Sequence, residues 1–308
     1  MSGRSVLVTG GAGFIGSHVG ERFAQRGDDV RVLDDLSTGL RSNCDAGWRL
    51  FEADVRDPAA VREAAAGVDL VLHFAAFTSV PESFERTADC RATNVAGTRN
   101  VLDACAHHGV QRLVFASTCA VYGELPEAPK AETERPEPRS PYAVSKLEGE
   151  RLLEEYARAG VTSTALRLFN VYGPRQLANS AYAAAIPIFM ERGLQGQALT
   201  IYGDGHQKRD FVFVSDVAEA FLLAASSSRS GVYNVGTGRA VEILELANAI
   251  AALTEDPTAH HFVPTRPGDA RTSAADITRI REALDWSPTC TLERGLSETL
   301  KWYRRIAR

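Results

Sequence analysis

The hydrophobic positions fall first into short continuous runs rich in Val, Leu and Ile. They occupy residues 5–9, 29–33, 50–53, 70–74, 112–117 and 162–168. Runs without polar alternation predict strands covered on both faces, as in a parallel sheet. Between them, residues 14–26, 58–66, 91–108 and 142–159 carry apolar positions at helical spacing. This β-α-β-α rhythm predicts an α/β fold, a doubly wound parallel sheet of the Rossmann type.

Beyond Asn170 the rhythm breaks, and Pro174, Pro187, Gly193, Gly196, Gly203 and Gly205 cut the chain into short pieces. An apolar helix at 214–225 and a strand at 232–235 predict a late return to the sheet. The expected division is a sheet domain over 1–168 with a return at 211–236. A smaller, discontinuous domain takes 169–210 and 237–308. Residues 124–141, rich in Pro and Glu, predict a surface loop ahead of the helix that carries Tyr142.

Composition narrows the function. With 308 residues, 44% hydrophobic and 24% charged, the chain can bury a large core. A net charge of −5 provides no broad basic surface, which argues against nucleic acid as the main partner. Five scattered cysteines without a CxxC pair predict a reducing compartment and neither disulfides nor a zinc site. His107-His108 and His260-His261 lack an accompanying Cys or carboxylate cluster, so no metal is expected. Residues 1–16 lack a signal-peptide layout, and no apolar run reaches the ~18 residues of a membrane span. The expectation is a cytoplasmic protein.

Two patterns carry chemistry. Gly10, Gly13 and Gly16 follow a predicted strand and open a predicted helix. Lacking Cβ atoms, such a turn can bring backbone amides to a pyrophosphate, although the motif alone also suits a tight strand–helix turn. The second strand ends at Asp34-Asp35, near the offset of about 20 residues expected for an acid that binds a ribose 2′-hydroxyl. A carboxylate there favours NAD over NADP. Asp54 follows the third strand and is placed to reach the adenine or to cap the next helix. Further on, Tyr142 and Lys146 are spaced to share a helix face, where a cationic Lys can lower a phenol pKa normally near ~10. Ser117 and Thr118 end another strand, where a hydroxyl could share an alcohol proton with Tyr142.

These residues stand in ordered company: 9–16, 73–76, 94–98, 117–123, Ser140-Pro141-Tyr142 with Lys146, 167–176, Arg209-Asp210-Phe211, Asn234-Val235-Gly236 and 266–269. Together they resemble the extended short-chain dehydrogenase/reductase family of NAD-dependent sugar-nucleotide epimerases and dehydratases. The resemblance is strongest to the UDP-glucose/UDP-N-acetylglucosamine 4-epimerase type and spans essentially the whole chain. It implies a tightly bound NAD held by Gly10, Gly13, Phe14, Ile15, Gly16, Asp34, Asp35, Asp54 and Val55. Phe74, Ala75, Ala76, Asn94, Tyr142, Lys146 and Phe169 complete that set. It also implies Thr118, Tyr142 and Lys146 as catalytic residues. Implied substrate contacts are Thr78, Ser117, Thr118, Tyr142, Asn170, Tyr202, Arg209, Arg266, Asp269 and Ser273. The family further implies a homodimer in which the 91–108 and 142–159 helices of two chains form a four-helix bundle.

Cys119 and Ala120 separate the family's branches. Dehydratases resembling this chain place Asp-Glu after the catalytic Thr, and UDP-glucuronate decarboxylases place a Glu two positions after it. Neither Cys119 nor Ala120 can supply that carboxylate, which leaves oxidation and re-reduction at one carbon. Ser273, where some relatives carry Tyr, leaves room for an N-acetyl group. The expected reaction is therefore C4 epimerisation of a UDP-hexose and of its N-acetyl form through a 4-keto sugar. UDP-glucuronate 4-epimerisation is a rival, although relatives of that type place Thr and Arg where this chain has Asn170 and Leu177. A third reading is a 4-keto-sugar reductase acting on UDP or dTDP sugars, and a fourth is a non-enzymatic dinucleotide sensor.

Overall fold

The computed structural model describes residues 3–124, 129–178, 184–255, 260–265 and 271–306. The chain opens with β1 (Ser5–Thr9), α1 (Phe14–Ala24), β2 (Asp29–Asp34), β3 (Arg49–Glu52), α2 (Pro58–Ala64) and β4 (Leu70–His73). Then come α3 (Val80–Glu85), α4 (Thr87–Arg91), α5 (Gly97–His108), β5 (Arg112–Thr118), α6 (Pro141–Ala157) and β6 (Thr162–Leu168). The second half runs β7 (Asn170–Tyr172), α7 (Ala185–Leu194), β8 (Thr200–Tyr202), β9 (Lys208–Phe213), α8 (Val214–Ser226) and β10 (Gly231–Val235). It ends with β11 (Ala240–Glu242), α9 (Ile243–Thr254), β12 (His261–Val263), β13 (Thr272–Ser273), α10 (Thr278–Leu284) and α11 (Leu292–Ile306).

Seven parallel strands form the main sheet in the order β10-β6-β5-β4-β1-β2-β3. From β1 the chain winds outward to β2 and β3, then returns to β4 on the other side of β1. That reversal makes a switch point between β1 and β4, where open α/β sheets place their ligands. Alternation along each strand feeds two cores. Val6 and Val8 pack with α1 and α8, while Leu7 packs on the opposite face with α2, α5 and α6. Each such buried Val or Leu contributes about 1.5–3 kcal/mol.

A third core, including Met190, Ile201, Phe213, Leu246 and Leu300, lies under the smaller sheets. There β9 is central: it pairs antiparallel with β11 and parallel with β7 and β13. Strands β8 and β12 form a separate parallel pair.

The single helix predicted over 91–108 is broken. A π turn at Ala92–Ala96 separates α4 from α5. Its cause is Asn94, which turns inward, accepts the Phe77 amide at 2.7 Å and donates to Ser145 Oγ at 2.9 Å. Gly97 then lets the helix pass Val55, whose Cγ1 would lie 2.6 Å from a Cβ at that position. Such one-turn bulges are frequent at functional sites.

Candidate active site

The glycine turn leaves β1 at Thr9 and enters α1 at Phe14. Gly10 has φ +70°, and a Cβ there would meet the Ala75 amide nitrogen at 2.6 Å. At Gly16 a Cβ would come within 2.2 Å of the Gly10 carbonyl oxygen. Those two glycines are therefore required by packing. Gly13 differs, since a Cβ there would approach only that carbonyl oxygen, at 3.2 Å, and no side chain caps α1. The amides of the first turn, at Phe14 and Ile15, are left for an anion.

Asp34, at the end of β2, braces this turn by accepting the Ala12 and Leu36 amides, each at 2.9 Å. Burial pushes its pKa up, and those bonds pull against the shift. Asp35 accepts the Ser37 amide and hydroxyl, at 3.0 and 2.6 Å. Asp54 pairs with Arg56, and that hydrogen bond holds its carboxyl below the usual range. Val55 is buried beside it. The loop after β4 closes the cradle: the Phe74 and Ala75 amides both donate to the Thr9 carbonyl, at 2.9 and 3.1 Å. Phe74 packs at a tilt against Phe221 with ring centroids 4.5 Å apart, and Ala76 follows in the half-buried loop. An uncapped helix start with an acid at the end of the next strand fits a dinucleotide.

Across the switch point, Ser140 caps α6 by accepting the Ala143 amide at 3.1 Å, and Pro141 occupies the first turn. Tyr142 and Lys146 consequently lie one turn apart against the end of β5. The Thr118 hydroxyl acts on the Tyr142 phenol and favours its ionised form. Lys146 Nζ donates to the Ala116 carbonyl at 2.9 Å and sits 4.8 Å from the Phe115 ring centroid. The Tyr142 backbone is also held, its N–H donating to Ser83 Oγ at 3.2 Å and its carbonyl accepting from Ser145 Oγ at 2.8 Å.

The electrostatics differ from the expectation that Lys146 would depress the phenol. Burial pushes Tyr142 up to about 12, opposed by the Thr118 hydroxyl and reinforced by the nearby Cys119 and Cys90 thiols. Burial also lowers Lys146 to about 8, with Cys90 and Glu150 opposing. In the protein alone, both groups are drawn toward their neutral forms. A positive charge bound beside them would draw the phenol back toward phenolate.

Ser117 does not join this group. Neighbouring strand residues face opposite sides, and with Thr118 toward Tyr142 the Ser117 hydroxyl turns to Glu150 Oε1, at 2.5 Å. The Ser117 hydroxyl, expected at the substrate, is engaged here inside the protein. Asn94 likewise spends its side chain on Phe77 and Ser145.

Beyond β6, Phe169 is buried against Tyr122 and Asn170 opens β7 beside it. Arg209 and Ser273 are register partners on β9 and β13. Burial pushes the Cys119 thiol up to about 11, and the Ser273 hydroxyl and the Arg209 charge act against that shift. Thus β13 meets the strand end that carries Thr118. Asp210 fixes this junction by accepting from Thr237 N, Thr237 Oγ1, Gly238 N and Ala275 N at 2.6–3.0 Å. Tyr202 is half-buried at the end of β8, and Thr78 is exposed in the loop after β4. Arg266 and Asp269 lie outside the described residues. The residues missed in the sequence are Ser83, Ser145 and Glu150. Only Glu150 left a signal, repeating beyond Lys146 the spacing of Tyr142 and Lys146.

Among the described residues, no group of three His, Cys, Asp or Glu side chains is placed to hold a metal, and no helix is long and apolar enough to cross a membrane. Comparison with known proteins agrees with the geometry. The NAD dependent epimerase/dehydratase family profile matches residues 6–236. The UDP-glucose 4-epimerase of Mycolicibacterium smegmatis is 37% identical over 307 residues, covering 97% of this chain and 98% of that protein. A dTDP-glucose 4,6-dehydratase of Streptomyces niveus is 36% identical over 316 residues, with 97% and 92% covered. The crystal structure of UDP-glucose 4-epimerase from Thermotoga maritima with UDP-glucose matches with a TM-score of 0.95 at 37% identity, covering 99% of this chain and 100% of that one. The chain belongs to the NAD-dependent epimerase/dehydratase family.

Proposed function

We propose that this protein epimerises a UDP-sugar at C4 through a transient 4-keto sugar. The observation that carries the reading is the pairing of a complete Thr118–Tyr142–Lys146 group with Cys119 and Ala120 immediately after Thr118. Elimination or decarboxylation needs a further acid or base at that place, and a thiol pushed up to about 11 is a poor substitute. Bound NAD supplies the hydride acceptor and donor for both halves of the cycle. Tyr142 removes the C4 hydroxyl proton and later returns it. Thr118 shares that proton's hydrogen bond and orients the oxygen. Lys146, tethered to the Ala116 carbonyl, supplies positive charge to the phenolate.

Gly10, Gly13, Gly16, Asp34 and the Phe74–Ala76 loop hold the cofactor in this reading. Arg209 and Arg266 take the diphosphate, for which a guanidinium fork is suited. Asp269 and Tyr202 take the nucleoside, while Asn170 and Thr78 lie along the sugar. The small Ser273 admits N-acetylhexosamines as well as hexoses. The reading includes a homodimer joined through α5 and α6, which light scattering tests directly.

The deciding experiment incubates the protein separately with UDP-glucose, UDP-N-acetylglucosamine, UDP-glucuronate and dTDP-glucose, and follows the sugars by NMR. C4 epimers formed without added NAD are expected from the first two. Epimerisation of UDP-glucuronate alone would shift the reading to a uronate epimerase. Accumulation of a 4-keto-6-deoxy product would replace it with a dehydratase, a branch to which the chain is comparably similar.

A further inference from the structure

Glu150 is buried one turn beyond Lys146 on α6, so Tyr142, Lys146 and Glu150 rise along one helix face. Its carboxylate is fully engaged. Oε1 accepts from Ser117 Oγ at 2.5 Å and from Arg167 Nε at 2.9 Å, and Oε2 accepts from Arg167 Nη2 at 2.7 Å. Ser117 and Arg167 are register partners on β5 and β6. One helix carboxylate thereby grips two adjacent strands. The Arg167 guanidinium also lies 4.8 Å from the Tyr122 ring centroid, and Tyr122 donates to Asn234 Oδ1 on β10 at 2.7 Å.

Burying two ions is expensive, and a well-packed apolar pair often serves stability as well. The placement of this pair gives it another use. Ser117 lies between Ala116, whose carbonyl holds the Lys146 ammonium, and Thr118, whose hydroxyl acts on the Tyr142 phenol. A displacement of the strand end along α6 would disturb both contacts together. Misplacement of about 1 Å can cost on the order of a hundredfold in rate.

We propose that Glu150, acting through Ser117, is a positioning residue that sets the end of β5 against α6, so that Thr118 and Ala116 meet Tyr142 and Lys146 in register. The proposal rests on the Thr118–Tyr142–Lys146 reading but not on which sugar is turned over.

The test uses NAD-loaded protein. Ser117→Ala removes the grip and leaves the Glu150–Arg167 pair intact; Ser117→Thr returns a hydroxyl. Two quantities are measured: kcat and KM on the sugar that is turned over, and the Tyr142 titration. The latter is followed as tyrosinate absorbance after subtraction of a Tyr142→Phe control. Ser117→Ala is expected to lose about tenfold or more in kcat at nearly constant KM and NAD content. Its Tyr142 titration moves to higher pH as the influence of the Thr118 hydroxyl weakens, and Ser117→Thr recovers most of both. A Ser117→Ala protein that melts earlier but titrates Tyr142 as the wild type does would overturn the proposal. A shifted titration in a protein that epimerises no sugar would overturn the activity reading and leave the positioning role standing.

Discussion

His73 Nδ1 lies 2.6 Å from Thr9 Oγ1, the two residues being register partners at the ends of β4 and β1. The other ring nitrogen, Nε2, is 2.9 Å from Thr98 Oγ1. Thr98 gives its own proton to the Asn94 carbonyl at 2.6 Å, so it accepts from His73 Nε2–H, which assigns the tautomer. Thr9 then donates to Nδ1 and accepts the Ala75 amide at 3.3 Å. A one-way chain therefore runs from the loop beside the glycine turn, through a buried neutral imidazole, to the π turn at Asn94. It crosses the sheet at its switch point.

This chain makes the fold acid-sensitive. Burial, with a smaller contribution from Lys146, lowers His73 from 6.5 to about 3. The unfolded chain takes up the proton near 6.5 and the native protein only near 3, so this contribution is complete above 6.5 and is lost as pH falls toward 3. His73→Leu strands the Thr9 donor and should lower stability near neutrality by about 1–3 kcal/mol. Its further loss on acidification should be shallower than the wild type's by one proton. Urea unfolding near neutrality and near pH ~4 measures both. Equal acid slopes would show that His73 is already protonated in the fold.

Lys146 produces a different pH signature. Burial lowers it from 10.5 to about 8, so between these values the unfolded chain binds more protons and stability rises with pH. Below about 8 the buried ammonium costs on the order of 3 kcal/mol. Cofactor-free Lys146→Met should therefore be more stable than the wild type near neutrality, by ~1–3 kcal/mol after losing the Ala116 bond. The advantage should fade as pH climbs toward 10.5, while turnover falls by orders of magnitude. Thermal melts across this range decide it; no gain at neutrality would mean that the ammonium is adequately solvated.

The sheet was legible because buried parallel strands leave unbroken apolar runs such as Val6-Leu7-Val8. The glycine turn and the Tyr142–Lys146 spacing were legible because both are local. The break at 92–96 was not, since its cause lies in Asn94 contacts with residues 77 and 145. Ser117 and Thr118 are adjacent hydroxyls of equal promise in the sequence, and only the facing of β5 separates them. The meeting of Ser273 with Arg209 and Cys119 depends on pairing between β9 and β13, which no local pattern encodes. The direction of the Tyr142 shift was missed because spacing reveals a neighbouring cation but not the depth of burial.

The two kinds of glycine in the cofactor turn should separate experimentally. A Cβ at Gly16 would lie 2.2 Å from a backbone oxygen, so Gly16→Ala must deform the turn. It should lower stability by several kcal/mol and abolish NAD retention. Gly13→Ala meets its nearest atom at 3.2 Å and should stay within about 1 kcal/mol of the wild type in stability. The added methyl nevertheless occupies the approach to the helix amides and should weaken NAD binding about tenfold or more. Bound NAD released on denaturation, measured beside the melting temperature, tests the pair. Full NAD retention by Gly13→Ala would place the pyrophosphate elsewhere.

Ser273 should decide which sugar fits. Its hydroxyl acts on the Cys119 thiol beside Thr118, and β13 holds it opposite Arg209. Ser273→Tyr adds a ring at this junction, and a steric conflict of about 1–3 kcal/mol corresponds to roughly 10–200-fold in rate. Turnover of UDP-N-acetylglucosamine should fall by that factor, while UDP-glucose stays within about threefold. Ser273→Ala removes the hydroxyl without adding bulk and should change the ratio of the two rates little. The measurement is kcat/KM for both sugars in the three proteins. An equal fall for both sugars in Ser273→Tyr would mean that the ring obstructs the site as a whole, and sugar choice would have to be sought at Asn170 or Thr78.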